Sequence, residues 1–194
     1  MTLNLANKIT LLRICLIPLF MIFMLVDFSM GTITLFQKAI PLHHFIAAFI
    51  FIAASVTDWI DGYVARKYNL ITNLGKFLDP LADKILVTAA LVSLVHHDMA
   101  PAWIVIIIIS REFAVTGIRL IAAGEGDVIA ASQLAKWKTT VQLIAIVVLL
   151  LYNVPFHLIS FPFGELMLWL ALILTILSGF DYFWKNKDLL LHSK

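Results

Sequence analysis

Cysteine is almost absent from this chain of 194 residues: Cys15 stands alone, which excludes an intramolecular disulfide and leaves it as a small apolar residue of the first span. Charge is scarce too. Lys, Arg, Asp and Glu make up 13% of the residues against 62% hydrophobic, and the mean hydropathy is +0.99. A soluble domain carries about a quarter charged and about half apolar residues, so the composition excludes an ordinary soluble fold and points to an integral membrane protein. The net charge of +2 is too small, and the basic residues too dispersed, to support nucleic-acid binding. The apolar run that follows Lys8 and Arg13 has no small-residue cleavage pattern and is followed by further runs, so a retained first helix is expected rather than a removed signal peptide. No internal repeat and no appended soluble domain is visible, and residues 1–194 are expected to form one membrane domain.

What is present is apolar sequence enough for about six spans of roughly 20 residues each. The expected fold is all-α and polytopic: six transmembrane helices with an N-terminal amphipathic juxtamembrane helix. Residues 2–14 form that first segment, with Leu3, Leu5, Ile9 and Leu12 toward lipid and Asn4, Asn7, Lys8 and Thr10 toward water. Spans are expected at about 11–26 and 43–66, then from Lys76 to near His96, then after Pro101, through the run 143–152, and at 163–184. Residues 27–43 read as a polar connection, 122–127 and 153–162 as turns. Pro80 is expected in an early helical position, where no intrahelical N–H bond is lost. His96 and His97 read as an interfacial loop, because adjacent residues on a helix do not face each other. With the N-terminus inside, the outer connections carry Lys38 alone, while Lys8, Arg13, Arg66, Lys67, Lys76, Lys84, Arg111, Arg119, Lys136, Lys138, Lys185, Lys187 and Lys194 fall inside. This asymmetry predicts a multi-pass cell-membrane protein with both termini cytoplasmic.

Four carboxylates interrupt the apolar sequence between Asp58 and Asp83. Asp58 and Asp61 are three residues apart and Asp79 and Asp83 four apart, spacings that place each pair on one helix face. Two such helices joined by the loop 68–75 would bring all four together. Converging carboxylates repel unless a cation neutralises them, and oxygen-only ligands suit Mg²⁺ or Mn²⁺ shared with a substrate phosphate. The plain alternative is that these acids cap helices or pair with Arg66, Lys67, Lys76 and Lys84.

The pattern D-x2-D-G-x2-A-R-x8-G-x3-D-x3-D, running from Asp58 to Asp83, fixes eight positions within twenty-six residues and resembles the signature of the CDP-alcohol phosphatidyltransferase family. The resemblance implies transfer of a phosphatidyl or related group from a CDP-linked donor to an alcohol, with release of CMP. By position it implies that Asp58, Asp61, Asp79 and Asp83 hold metal, with two ions expected, and that Asp83 is the catalytic base. It implies that Asp61, Gly62, Ala65, Arg66 and Gly75 surround the cytidine diphosphate of CDP-diacylglycerol. Asn7 and Thr10, with Arg13, look like the family's N-terminal element near the nucleotide. A homodimer is implied by the same resemblance.

The acceptor is read from residues outside that motif. Arg111 and Arg119 lie in an apolar helix, where arginines are costly and face a cavity or interior; eight residues apart, they differ by only about 80° around a helix. Lys136 and Lys138 follow. Two residues apart, these lysines point to nearly opposite faces, so at most one enters a shared pocket, and Lys136 has Thr139 and Thr140 on its side. Four cations not consumed by the aspartates suit an anionic acceptor. The segments 110–119 and 136–139 resemble the bacterial members of the family that act on sn-glycerol 3-phosphate. Two other readings are compatible with parts of the pattern: a family member using inositol phosphate, serine or phosphatidylglycerol, and a divalent-cation transporter. The position of the acids at span ends rather than mid-membrane favours phosphate chemistry over transport.

Overall fold

The computed structural model describes the backbone of residues 5–67, 73–124 and 132–187, and within them the side chains of residues 10–57, 81–122 and 132–187. The described chain is mostly helical. Its elements in order are α1 (Leu5–Leu25), a hairpin of β1 (Thr32–Leu35) and β2 (Lys38–Pro41), α2 (Leu42–Lys67), α3 (Asn73–His96), α4 (Ala102–Gly124), α5 (Gln133–Leu150), a 3-10 turn (Phe156–Ile159) and α6 (Phe163–Lys185).

Three boundaries differ from the sequence reading. The expected amphipathic segment and first span are one unbroken helix, α1, which continues through Pro18. α3 starts at Asn73, so Pro80 lies past its first turn and does remove an intrahelical bond. The expected polar connection contains the antiparallel hairpin, in the register Thr32↔Pro41 to Leu35↔Lys38. Its two-residue turn is Phe36 and Gln37, both at positive φ (48° and 68°), as a hairpin of this length requires. No Asn-Gly or Asp-Gly pair marks it in the sequence.

Packing is carried by small residues inside and large ones outside. Ala47, Ala48 and Ala54 of α2, Ala82 and Ala90 of α3, Ala145 of α5 and Ala171 of α6 are all fully buried. Ile106, Leu120, Ile173, Ile176 and Phe180 are exposed. Alanine faces let helix backbones approach closely where water supplies no driving force. The arrangement places α1 against α2 and α3, and α6 against α4 and α5. α5 and α6 are long and apolar enough to cross a membrane, and Thr10–Leu25 and Leu42–Thr57 are shorter apolar stretches.

The two ends of the bundle differ in chemistry. At the end holding the hairpin, four imidazoles meet edge-on in a row: His43 against His44 (ring centroids 4.5 Å apart), His44 against His97 (4.3 Å) and His97 against His96 (4.9 Å). His97 is therefore packed rather than loosely placed: its Nε2 donates to the Met24 carbonyl at 2.6 Å. His44 Nδ1 and the Tyr152 hydroxyl share a 2.6 Å hydrogen bond.

Asn153 closes the α5–α6 connection. It adopts φ 61°, a left-handed conformation that asparagine tolerates. Its Nδ2 donates to the Phe161 carbonyl at 2.7 Å, and its Oδ1 accepts from the Gly164 amide at 3.0 Å. Gly164 beside it lets the two helices meet closely: a Cβ there would lie 2.8 Å from Leu149 Cδ2 and 3.1 Å from Leu149 Cγ, and the Leu149 side chain would have to shift. Asn153→Ala removes both bonds and the residue suited to this φ. We expect it to destabilise the fold by about 1–3 kcal/mol, read as a lower thermal midpoint in detergent; a midpoint equal to that of the parent would show that the turn does not depend on this side chain.

Candidate functional site

The end opposite the histidines carries Asp83, Lys84, both arginines, Glu112 and both lysines of α5. α2 carries Asp58, Asp61, Gly62, Ala65 and Arg66 in its last three turns. α3 carries Gly75, Asp79 and Asp83 in its first three, and the two helices pack together. The side chains of Asn7, Asp58, Asp61, Ala65, Arg66 and Asp79 lie outside the described residues, as does any contact at Gly62 and Gly75. Their placement on adjoining helix ends is as far as the structure takes them. Thr10 and Arg13 are described: both are buried on α1, the helix that packs on α2 and α3.

Asp83 is half-buried and lines two cavities. The larger, of about 600 Å³, is walled by Asp83 and Lys84 from α3, by Arg111, Glu112 and Arg119 from α4, and by Lys136, Thr139 and Thr140 from α5. Arg111 and Arg119 therefore do share one side of α4, as their spacing predicts. The smaller, of about 50 Å³, lies between Asp83, Lys84, Glu112, Lys138 and Gln142.

The structure divides the two lysines. Lys136 is exposed and lines the larger cavity with Thr139 and Thr140. Lys138 is only 1% exposed, does not line that cavity, and donates from Nζ to Glu112 Oε1. A lysine so buried is stable only when paired, and Glu112 supplies the pair. The same Glu112 oxygen also accepts from Arg111 Nη1 at 3.4 Å.

The arginines are braced from α6. Arg111 Nη2 donates to Ser178 Oγ at 2.9 Å, and Ser178 Oγ in turn donates to the Thr175 carbonyl at 3.3 Å. Arg119 Nε donates to the Tyr182 hydroxyl at 3.3 Å, and its guanidinium carbon lies 5.6 Å from the Tyr182 ring centroid. Among the described residues, Arg119 and Lys136 make no ion pair, so the larger cavity retains uncompensated positive charge.

Lys84, Glu112, Ser178 and Tyr182 were not singled out as site residues from sequence. Glu112 had a signal, being an acid beside Arg111 in an apolar helix. Ser178 and Tyr182, four apart in an apolar helix, share a face, but nothing in their spacing names the arginines as partners.

Of the four motif aspartates only Asp83 has a described side chain, so no group of three metal-ligating side chains occurs among the described residues. The donor set on the facing ends of α2 and α3 is carboxylate oxygen throughout, which fits a hard divalent cation such as Mg²⁺ or Mn²⁺ and does not favour a thiolate-seeking metal.

The CDP-alcohol phosphatidyltransferase family model matches residues 3–177. The CDP-diacylglycerol–glycerol-3-phosphate 3-phosphatidyltransferase of Bacillus subtilis (strain 168) is 60% identical over 187 residues, covering 96% of this chain and 97% of its own. Proteins of the same name from Rickettsia bellii and Haemophilus influenzae are 38% and 40% identical, covering 93% and 98% of this chain and 93% and 97% of their own. With the match running across the aspartate motif and both arginines, the chain belongs to the CDP-alcohol phosphatidyltransferase family.

Proposed function

We propose that the chain transfers the phosphatidyl group of CDP-diacylglycerol to sn-glycerol 3-phosphate, giving phosphatidylglycerophosphate and CMP. The observation that carries this reading is the larger cavity, in which Asp83 shares walls with Arg111, Arg119 and Lys136. A carboxylate able to accept a proton and cations able to hold a phosphate line one space, as transfer to a phosphorylated alcohol needs. The names of the relatives agree with it.

In this reading Asp58, Asp61, Asp79 and Asp83 hold two Mg²⁺ or Mn²⁺ ions. When bound, these neutralise the diphosphate oxygens and stabilise CMP as it leaves. Asn7, Thr10, Asp61, Gly62, Ala65, Arg66 and Gly75 surround the donor's cytidine diphosphate. Arg111, Arg119 and Lys136 hold the acceptor's phosphate, the arginines through paired N–H donors and the lysine as a point charge. Lys138 acts from behind them: its ion pair with Glu112 takes up carboxylate charge that would otherwise fall on Arg111. The acceptor hydroxyl gives its proton to Asp83 as its oxygen bonds to the phosphatidyl phosphorus. The bond from that phosphorus to the CMP oxygen breaks in the same exchange. A neutral acceptor would leave the cavity's cations without a counter-charge.

The same reading makes the chain a six-span protein of the cell membrane, with the N-terminal part of α1 at the membrane surface and the aspartate end facing the cytoplasm. Support comes from the basic asymmetry along the sequence and from the apolar exterior of the helices. Assembly as a homodimer belongs to the reading through the family resemblance alone.

Purified protein with Mg²⁺ or Mn²⁺ should release CMP from CDP-diacylglycerol when sn-glycerol 3-phosphate is present, and EDTA should stop it; equal release with serine, inositol phosphate or no acceptor would overturn the acceptor assignment. Asp83→Asn should lower turnover by roughly 10²–10⁴-fold while CDP-diacylglycerol binding persists, and turnover near the parent's would remove Asp83 as base. Arg119→Ala deletes a charge-assisted contact of about 1.5–3 kcal/mol. We expect the KM for sn-glycerol 3-phosphate to rise roughly 10–100-fold with little change for CDP-diacylglycerol; an equal rise for both would make Arg119 structural.

A further inference from the structure

We propose that Ser178, Gly179 and Tyr182 of α6 form a clamp that draws Arg111 and Arg119 together onto one acceptor phosphate, so that α6 positions the residues that select the acceptor. This inference rests on the reading that the two arginines bind that phosphate. All three α6 residues lie past residue 177, where the family match ends, so the match itself assigns them no role.

The geometry begins with helix rise. Arg111 and Arg119 are eight residues apart on α4, so their backbones are separated by about 12 Å along the axis at about 1.5 Å per residue. That is too wide for two guanidinium groups to meet one phosphate without their side chains leaning toward each other. Ser178 and Tyr182 are four residues apart on α6, or about 6 Å along its axis. The contacts rise in the same order on both helices: Arg111 to Ser178 at 2.9 Å, Arg119 to Tyr182 at 3.3 Å. Anchors at half the spacing therefore tilt the two side chains toward one another.

The anchors are rigid. Ser178 is fully buried and Tyr182 is 4% exposed, packed with Val115 and Ile118 of the same arginine helix. Ser178 is held in turn by its own bond to the Thr175 carbonyl. Gly179 opens the space that Arg111 occupies: a Cβ there would stand 3.2 Å from Arg111 Cγ, tighter than ordinary contact. An arginine gives up rotamer freedom when it is held, and ordering it before the ligand arrives removes that cost from binding. The clamp thus acts through the arginines. Its three members are positioning residues and touch neither substrate nor metal.

The consequence is a separation of kinetic effects. Tyr182→Phe keeps the ring and its stacking but loses the hydroxyl acceptor. Ser178→Ala removes the other anchor, and Gly179→Ala presses on Arg111 without touching a hydrogen bond. In detergent-solubilised protein, each should raise the KM for sn-glycerol 3-phosphate about 3–10-fold, and Ser178→Ala with Tyr182→Phe together about 30-fold. The KM for CDP-diacylglycerol and the thermal midpoint should change little, which a merely structural lesion would not allow. In an Arg119→Ala background Tyr182→Phe should add nothing, since two residues acting through one contact are not additive.

Two results would overturn the clamp and they are distinguishable. If Arg119→Ala raises the acceptor KM but Tyr182→Phe and Ser178→Ala leave it unchanged, or raise the donor KM equally, the arginines bind phosphate without help from α6. If Arg119→Ala itself leaves the acceptor KM unchanged, the acceptor site is elsewhere and the clamp falls with it.

Discussion

The bond from Lys138 on α5 to Glu112 on α4 is the interaction on which the charged end of the bundle depends. Glu112 sits in an apolar helix between two cations, and a single oxygen serves both Lys138 and Arg111. Without it, a fully buried ammonium would stand uncompensated, a fault worth about 3–5 kcal/mol. Without Lys138, the carboxylate would turn its whole charge on Arg111 and neutralise a group that the cavity uses. The pair therefore does two things at once. It ties α4 to α5, and it decides how much positive charge is left over for a ligand.

That surplus exists only because the helices pack closely around it. Buried alanines on α2, α3, α5 and α6 bring the backbones together along most of the bundle. Where the inward side chains become long and charged instead, on α3, α4 and α5, the same helices enclose the cavity of about 600 Å³. Small residues and large polar ones are thus two halves of one design: tight contact fixes the walls, and ionic side chains occupy the space at the end. At the opposite end the edge-on imidazoles and the Asn153 turn hold the helices together, and the charges described there are acidic, Asp98 and Glu165 lining the cavity beside Pro101 and Trp169.

Much of this was legible in the sequence, and what was not has a physical reason. Helix positions followed in part from apolar runs: α6 begins and ends close to where its run does, whereas α2 and α4 continue past theirs, to Lys67 and Gly124, through the polar residues of the site. The grouping of Arg111 with Arg119 followed from angular spacing, as did the side of α5 that Lys136 shares with Thr139 and Thr140. The hairpin did not, because Phe36 and Gln37 take up positive φ without the residues that advertise it. Nor did the partners of the arginines. Periodicity shows which residues of one helix face the same way, but not which face of another helix they meet, and Ser178 and Tyr182 are sixty residues and more away in sequence. The state of Lys138 was hidden for the same reason: its type and spacing are compatible with a ligand, and only tertiary contact reveals that its charge is already used.

Counting cations in a sequence therefore overstates the charge offered to an anion. Of the four basic residues read from sequence as the acceptor set, Lys138 is consumed by Glu112 and Arg111 is partly shared with it. Arg119 and Lys136 keep their charge for the cavity, with Lys84 beside Asp83 at its edge. One phosphate group needs about two positive charges, near what remains after the fold has made its own pairs. In the proposed reaction the aspartates on α2 and α3 would serve the donor and the cations on α4 and α5 the acceptor. Among the described side chains Asp83 is the motif acid on the wall that the cations share, so in the proposed reaction it would serve both. Acceptor selectivity in such a site is set less by how many basic residues the helices carry than by which of them the rest of the structure leaves unpaired and how rigidly it aims them.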